Sequence, residues 1–431
     1  MRKIHLTLVA ITLVLVGGYA LAQQAPAAQA PGAPVPPNLP EWAWGVMPPP
    51  PPGAAPAAPA APPADDGKLI RIEGSNVALT RTQLRGIPDI VDWHPEDHGP
   101  MPSVVKTGRQ GVRACGLCHL ANGRGRPENA PPAGLPAAYI IQQMEDFKNG
   151  LRKSSDPRKA NVGVMAGFAK ETTPEEVKAS AEYFAALPIP QGWIKVRETN
   201  MVPKTKVQGN VYFELEGAAA GKEPIGNRII EVPEFGQERF ELRDDHAGYI
   251  AYAPVGSVRK GEQLAAKLQC AICHGPNLEG VGPVPPLAGR SPSYLARQLF
   301  DFQTGMRRGL WSDLMKPIVA KMAAEDLVNI AAYMASKTPT PPAVRQTARA
   351  NCRRSRYRNT KRPERERDRA FFSLCPEEPF TTTSGTEQST SSAPSTSGRN
   401  GLERHQLHRD ESGSLRTDRE PGHRGGIRLA F

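Results

Sequence analysis

The feature that most constrains this 431-residue chain is an internal repeat. The stretch Cys115-Gly116-Leu117-Cys118-His119 recurs as Cys270-Ala271-Ile272-Cys273-His274, at an offset of 155. The same offset relates Asn122/Asn277, Gly125/Gly280, Pro131/Pro286, Tyr139/Tyr294, Gln143/Gln298, Asp146/Asp301, Phe147/Phe302, Gly150/Gly305 and Arg152/Arg307. Further on the offset becomes 150, which pairs Met165 with Met315 and Tyr183 with Tyr333. The chain therefore contains one module twice, with a five-residue deletion in the second copy.

Each copy begins with the motif C-x-x-C-H, which has a specific chemistry. Its two thiols add across the vinyl groups of haem, and the adjoining histidine ligates the iron. Cysteines in exported chains can instead form disulfides, and a C-x-x-C pair can hold zinc or act as a thioredoxin-like redox pair. Zinc would need more ligands at similar spacing, and a redox pair needs no histidine. We therefore predict two covalently bound haem c groups, held by Cys115, Cys118, His119, Cys270, Cys273 and His274.

Methionine is the predicted sixth ligand of each iron. Neither module contains a second histidine after its motif, and His94, His98 and His246 are expected at the surface. Met165 and Met315 agree in the repeat register, and both are expected in a loop ahead of the last helix. Met144 and Met334 fit helix cores instead, and Met306 and Met322 have no methionine counterpart. The predicted iron ligands are His119 with Met165 and His274 with Met315, and His/Met ligation raises the reduction potential.

The modules are predicted to be helical. Apolar residues recur at helical spacing over residues 137–149 and 292–304, and Gly150 and Gly305 follow as helix ends. In the first copy, Thr173 and Glu176 form a capping box for the last helix. Pro131 and Pro286 could each present a carbonyl to the histidine ring, or could simply be turn prolines. Residues 193–258, between the copies, read as short strands.

Both ends of the chain differ from the modules. Arg2 and Lys3, a short apolar run and Ala20-Leu21-Ala22 predict a signal peptide, because the run is shorter than the roughly 20 residues that span a bilayer. The arginine-rich tail is predicted to be disordered, either as a docking tail or as sequence translated out of its ancestral frame. The predicted order is signal peptide 1–22, Pro/Ala-rich linker 23–64, irregular lead-in 65–104, first module 105–188, β-rich intermodule segment 189–257, second module 258–340 and disordered tail 341–431.

The net charge of +11 is concentrated in the tail and the signal peptide, so the remainder is nearly neutral. The charge therefore predicts no nucleic-acid partner. A membrane is expected to be touched only through the signal peptide, if that peptide stays uncleaved.

The motifs resemble those of the class I cytochromes c, especially dihaem cytochromes of the c4 and c553 type. In the second copy the resemblance rests on Cys-Ala-Ile-Cys-His-Gly, on Pro-Pro-Leu-Ala-Gly and on the segment around Met315. The first copy follows more loosely, and the resemblance covers roughly residues 105–188 and 258–338. It implies a mainly α fold, with two cytochrome c domains joined by a β-containing segment. The long intermodule segment departs from that family and leaves the haem–haem packing open.

The resemblance also implies a function, which is periplasmic transfer of single electrons. The expected partners are a dehydrogenase or other donor, and an oxidase or another cytochrome as acceptor. The alternative is a haem enzyme, such as a dihaem peroxidase or a thiosulfate-oxidising cytochrome. The looser first copy, with its five extra residues before Met165, motivates that alternative. No catalytic residue is predicted, because six-coordinate irons would leave no open position for a substrate.

Overall fold

The computed structural model describes Pro40 and residues 64–340. The predicted signal peptide, nearly all of the linker and the tail lie outside the described residues. Within residues 64–340, no helix is long and apolar enough to cross a lipid bilayer.

The lead-in is mostly irregular but has a small core of its own. Its regular elements are helix α1 (Arg81–Leu84) and a single 3-10 turn (Pro95–Asp97). Trp93 is fully buried among Ile72, Val91 and Leu242, and its indole Nε1 donates to the Leu242 carbonyl at 2.7 Å. Because Leu242 belongs to the intermodule segment, the lead-in packs on that segment.

The first module is built from helices, as predicted. Its elements are α2 (Ser103–Lys106), β1 (Gly108–Arg109), β2 (Val112–Arg113), α3 (Gly116–His119), α4 (Ala137–Lys148), α5 (Ala160–Glu171) and α6 (Pro174–Ala186). The capping box at Thr173 and Glu176 is confirmed, and so is the turn at Gly150, whose φ is +66°. Buried side chains from α2, β2 and α6 form the module core, including Val105, Val112 and Phe184.

The second module repeats the helical pattern. Its elements are α8 (Ser257–Lys267), α9 (Ala271–His274), α10 (Pro292–Gln303), α11 (Ser312–Val319) and α12 (Ala324–Ser336). Helices α4 and α10 confirm the two periodic stretches, and Gly305 ends α10 with a φ of +73°. Leu295 and Leu299 on α10 pack against Leu327 and Ile330 on α12 in one core cluster.

The intermodule segment contains the predicted short strands. They are β3 (Ile194–Glu198), β4 (Met201–Pro203), β5 (Thr205–Gln208), β6 (Val211–Glu214), β7 (Lys222–Pro224), β8 (Ile230–Pro233) and β9 (Tyr249–Ala253); a 3-10 turn (Gly217–Ala219) and helix α7 (Gly236–Glu241) complete it. Strand β9 lies between β3, to which it is parallel, and β8, to which it is antiparallel. The pairs β4–β7 and β5–β6 are antiparallel.

The central sheet is attached to the second module. Trp193 and Ile194 at the start of the sheet share a buried cluster with Tyr249, Ala251 and Ala335, and Ala335 lies on α12. The segment therefore contacts the lead-in through Leu242 and the second module through this cluster.

Candidate haem sites

Each C-x-x-C-H motif forms a single helical turn, α3 in the first module and α9 in the second. Residues three apart lie on the same helical face, so Cys115 and Cys118 face one side, as do Cys270 and Cys273. All four thiols are free of disulfides. The arrangement fits attachment of one porphyrin edge to each turn.

A hydrogen bond orients each motif histidine. His119 Nδ1 lies 2.8 Å from the Ala130 carbonyl, and His274 Nδ1 lies 2.9 Å from the Pro285 carbonyl. With Nδ1 donating to a carbonyl, Nε2 carries the lone pair that a metal needs. Burial lowers the pKa of both imidazoles, which favours the neutral form that ligates iron.

The carbonyl acceptors correct one expectation. Pro131 and Pro286 were candidates to present a carbonyl to the ring, but the acceptor is in each case the residue before that proline. Ala130 and Pro285 are themselves repeat partners, so both modules use the same backbone position. A proline at the next position fixes φ there and restricts the residue before it to extended backbone.

A cleft lies beside each histidine. The first, of about 1000 Å³, is lined by His119 and also by Met144 and Met165. The second, of about 1590 Å³, is lined by Cys270, Cys273, His274 and also by Met315, Met322 and Met334. Both predicted methionine ligands therefore line the cleft of their own histidine.

The expected loop position of these methionines is wrong. Met165 lies within helix α5 and Met315 within helix α11, and both side chains are half-buried. Met144 and Met334 line the clefts as well as belonging to helices, so cleft lining alone does not choose among the methionines.

The first cleft also holds a buried lysine that sequence reasoning missed. Lys159 is 5% exposed, and its Nζ has no hydrogen-bond partner among the described residues. Burial lowers its pKa well below the usual range. A buried ammonium without a partner is costly, and it fits a cofactor that brings carboxylates of its own, as haem does through its propionates.

The two modules meet through a symmetric network of arginines. Arg152 donates to Gln143 Oε1 of its own module at 3.0 Å. Nη2 of Arg152 donates across the interface to Tyr294 Oη at 3.0 Å and Gln298 Oε1 at 2.9 Å. Arg307 repeats the pattern. It donates to Gln298 at 2.9 Å in its own module, and to Gln143 at 2.7 Å and Tyr139 at 2.5 Å across the interface.

The backbone at this interface is symmetric too. Arg152 and Arg307 form an isolated antiparallel bridge, flanked by Lys153 N to Met306 O and Arg308 N to Leu151 O, each at 2.8 Å. Residues that line both clefts, and so form a shared wall, are Leu135, Tyr139, Gln143, Tyr294 and Gln298. The modules are in direct contact despite the long segment between them.

The surroundings of the two motifs differ strongly. In the first module, Arg243 of the intermodule segment donates to the Leu117 carbonyl at 2.5 Å, and Cys118 is half-buried. In the second module, Cys273 is exposed and Ile272 is 73% exposed. Ile90 of the lead-in also packs in one cluster with Leu117 of the first motif. The lead-in and the intermodule segment therefore cover the first motif and leave the second open.

One expectation about histidines is also wrong. His94 was expected at the surface, yet it is only 1% exposed, with its ring stacked on that of His246 at 3.4 Å. His246 is exposed as expected, whereas the His98 side chain is 4% exposed. The sequence held no periodic pattern around residue 94 that would have indicated its burial.

Comparisons with known proteins agree with this architecture. Residues 256–334 match the family described as cytochrome C oxidase, cbb3-type, subunit III. A "thiosulfate dehydrogenase electron acceptor" of Stutzerimonas stutzeri is 28% identical over 226 residues, which are 52% of this chain and 78% of that protein. Cytochrome c4 of Pseudomonas aeruginosa is 26% identical over 231 residues, 53% of this chain and 85% of that protein.

A shorter relative is more similar in sequence. Cytochrome c-554(548) of Halomonas halodenitrificans is 36% identical over 69 residues, which are 16% of this chain and 83% of that protein. Together with the repeated C-x-x-C-H motif and the paired clefts, these relatives show that the chain belongs to the c-type cytochromes and is related to the dihaem cytochromes c4.

Proposed function

We propose that this chain is an exported, periplasmic electron carrier with two covalently attached haems. The observation that carries the proposal is the duplication of a complete site. Each module has a paired-cysteine turn, a carbonyl-oriented histidine and a methionine beside one cleft, and the two clefts share a wall. When bound, haem iron supplies reversible one-electron redox chemistry at a potential set by its axial ligands.

The residues have distinct tasks under this proposal. Cys115, Cys118, Cys270 and Cys273 form the thioether bonds. His119 and His274, each oriented by a backbone carbonyl, would hold the iron together with Met165 and Met315. The domain bounds are proposed as predicted, with cytochrome c domains at 105–188 and 258–340.

The shared wall keeps the two clefts at a fixed separation. The buried guanidinium groups of Arg152 and Arg307 donate hydrogen bonds across the interface, and these bonds hold the modules in one relative position. The acceptors are Tyr294 and Gln298 for Arg152, and Tyr139 and Gln143 for Arg307. A fixed separation favours electron transfer, because no rearrangement of the modules is needed between the two sites.

We place exchange with partner proteins at the second module. Its motif is open to solvent, and large apolar side chains are exposed nearby: Ile272, Leu310, Trp311 and Leu314, at 73%, 66%, 43% and 64%. Trp311 and Leu314 also line the second cleft, so they lie at its mouth. Exposed apolar groups of this kind typically mark protein interaction sites.

Replacing Leu314 with aspartate tests this surface. We expect electron transfer from the reduced variant to a purified monohaem cytochrome c to slow about tenfold, equivalent to about 1.4 kcal/mol, because a charge replaces an apolar contact. Stopped-flow spectroscopy measures the rate.

Leu69→Asp is the matched control, because Leu69 is 60% exposed in the lead-in and far in sequence from the second module. It should transfer electrons at the wild-type rate. Both variants should keep wild-type spectra, and the measured potential of each variant is used to correct its rate for driving force. An equal rate in Leu314→Asp and Leu69→Asp would argue against exchange through the second module.

For the physiological partners, we propose a periplasmic dehydrogenase as donor and an oxidase or another cytochrome as acceptor. A relative named thiosulfate dehydrogenase electron acceptor supports a dehydrogenase donor. The relatives are named as cytochromes or as an electron acceptor, which favours a carrier over the haem-enzyme alternative, whether a dihaem peroxidase or a thiosulfate-oxidising cytochrome. Absence of peroxide turnover by the reduced dihaem protein is the expected result, and steady turnover would favour the enzyme.

A further inference from the structure

A second group of potential ligands lies outside both haem clefts. His94 comes from the lead-in, and Asp244 and Asp245 come from the intermodule segment just after helix α7. We propose that these three residues bind one divalent transition metal ion, of the zinc type, which fastens the lead-in to the intermodule segment beside the first module.

The ligand atoms already converge. One ligand atom from each residue lies within 4.8 Å of the others. The three residues are deeply buried, with exposures of 1% for His94, 5% for Asp244 and 2% for Asp245. They come from segments that are distant in the sequence, so the fold itself brings them together.

Two of the three residues, His94 and Asp245, offer ligand atoms that have no other partner in the described part of the chain. His94 Nδ1 lies 3.3 Å from Glu96 Oε1, which leaves Nε2 for a metal. Nε2 of His94 and both carboxylate oxygens of Asp245 are buried and make no hydrogen bond within the described part of the chain. This is the observation that separates the group from an ordinary acidic cluster.

Nearby cations do not remove the need for a partner. Asp244 is already paired, because Arg239 Nε donates to its Oδ2 at 2.7 Å and the His246 amide donates to Oδ1 at 2.9 Å. Arg124 faces the group from the first module without a hydrogen bond to Asp245, and Asp92 and Asp97 add negative charge around it. Burying a carboxylate without a donor is costly, and a bound cation would remove that cost.

The donor set selects the kind of ion. An imidazole nitrogen with carboxylate oxygens is a common set for zinc and similar first-row ions, whereas calcium and magnesium prefer oxygen alone. Three protein ligands leave a position that water can take. The His246 ring, stacked on His94, holds the imidazole plane in place.

The location gives the ion a structural role. Asn122, which follows the first haem motif closely, donates from Nδ2 to the Asp245 carbonyl at 2.8 Å. Arg243, two residues before Asp245, donates to the Leu117 carbonyl of that motif. An ion that holds His94 to Asp244 and Asp245 would therefore stabilise the packing of the lead-in and the intermodule segment over the first motif.

Metal analysis of the full-length dihaem protein tests the site. After treatment with a chelator, we expect wild type to take up one zinc ion per chain in isothermal titration calorimetry, and its melting temperature to rise with zinc. Asp245→Asn and His94→Gln should bind zinc about 100-fold more weakly or worse, since each loses a direct ligand.

Asp92→Asn is the matched control, because Asp92 is a neighbouring carboxylate whose partner is His98 Nε2 at 3.3 Å. It should bind zinc within about threefold of wild type, because it removes a nearby charge but no ligand, and every variant should keep the haem absorption of wild type. Two results would overturn the proposal: no zinc uptake by chelator-treated wild type, or equal uptake by wild type and a folded Asp245→Asn variant.

Discussion

Replacing Arg307 with methionine is expected to lower the free energy of unfolding by about 3–4 kcal/mol. Arg307 is 6% exposed and donates to three side chains, Gln298, Tyr139 and Gln143. Methionine keeps much of the volume but removes every donor, so buried oxygens lose the charged partner that satisfies them. Chemical denaturation followed by far-ultraviolet circular dichroism measures the loss.

The adjacent arginine provides the control. Arg308 is exposed, so Arg308→Met should change the free energy of unfolding by less than about 0.5 kcal/mol. Arg152→Met should resemble Arg307→Met, because the two arginines occupy equivalent positions in the interface. Equal stability of the Arg307→Met and Arg308→Met proteins would contradict the importance of the shared wall.

Replacing Met315 with alanine is expected to have the largest effect on the second haem. Under the proposed ligation, loss of the Met315 thioether should remove the charge-transfer band of His/Met ligation from one haem and lower that haem's potential. We expect a fall of about 0.1 V or more, within the roughly 0.8 V range that axial ligands set. Absorption spectra and a redox titration of the variant measure both changes.

Met322→Ala separates ligation from packing. Met322 lines the same cleft and is 8% exposed, so its loss creates a similar cavity without removing the predicted ligand. The Met322→Ala protein should keep the charge-transfer band and a haem potential close to those of wild type. In the first module, Met165→Ala and Met144→Ala form the corresponding pair. Loss of the band in Met322→Ala but not in Met315→Ala would reassign the ligand.

Much of the fold could be predicted because the internal repeat shows the same module pattern in two copies. Helices α4 and α10 carry clear apolar periodicity, and Thr173 and Glu176 mark the start of α6 by local hydrogen bonding alone. The short strands of the intermodule segment could also be predicted from the sequence, because glycines separate their apolar runs.

The helices that carry the methionines were harder to predict. Helix α5 contains Gly163 and Gly167, and helix α11 contains Pro317, which are residues that normally argue against a helix. The packing of these helices on the modules outweighs their weak local preference. The repeat register pointed to Met165 and Met315 without needing their secondary structure, and both side chains line the clefts, where their role as iron ligands stays a prediction.

Contacts between distant segments could not be predicted. Tyr139, Gln143 and Arg152 were visible as repeat matches, but their spacing alone does not show that they bond to the other copy. His94 and Asp245 lie outside the repeat, so only the fold brings them together. Identical polar residues on the apolar helices of both copies were the one available signal for the interface.

A redox titration of the purified protein, followed by absorption and electron paramagnetic resonance, tests whether the chain carries two haems that each transfer one electron. It should be run on protein whose mass shows the number of attached haems. We expect two covalent haems per chain, two one-electron steps and two low-spin His/Met signals. A single attached haem, or a high-spin haem with an open position, would contradict it.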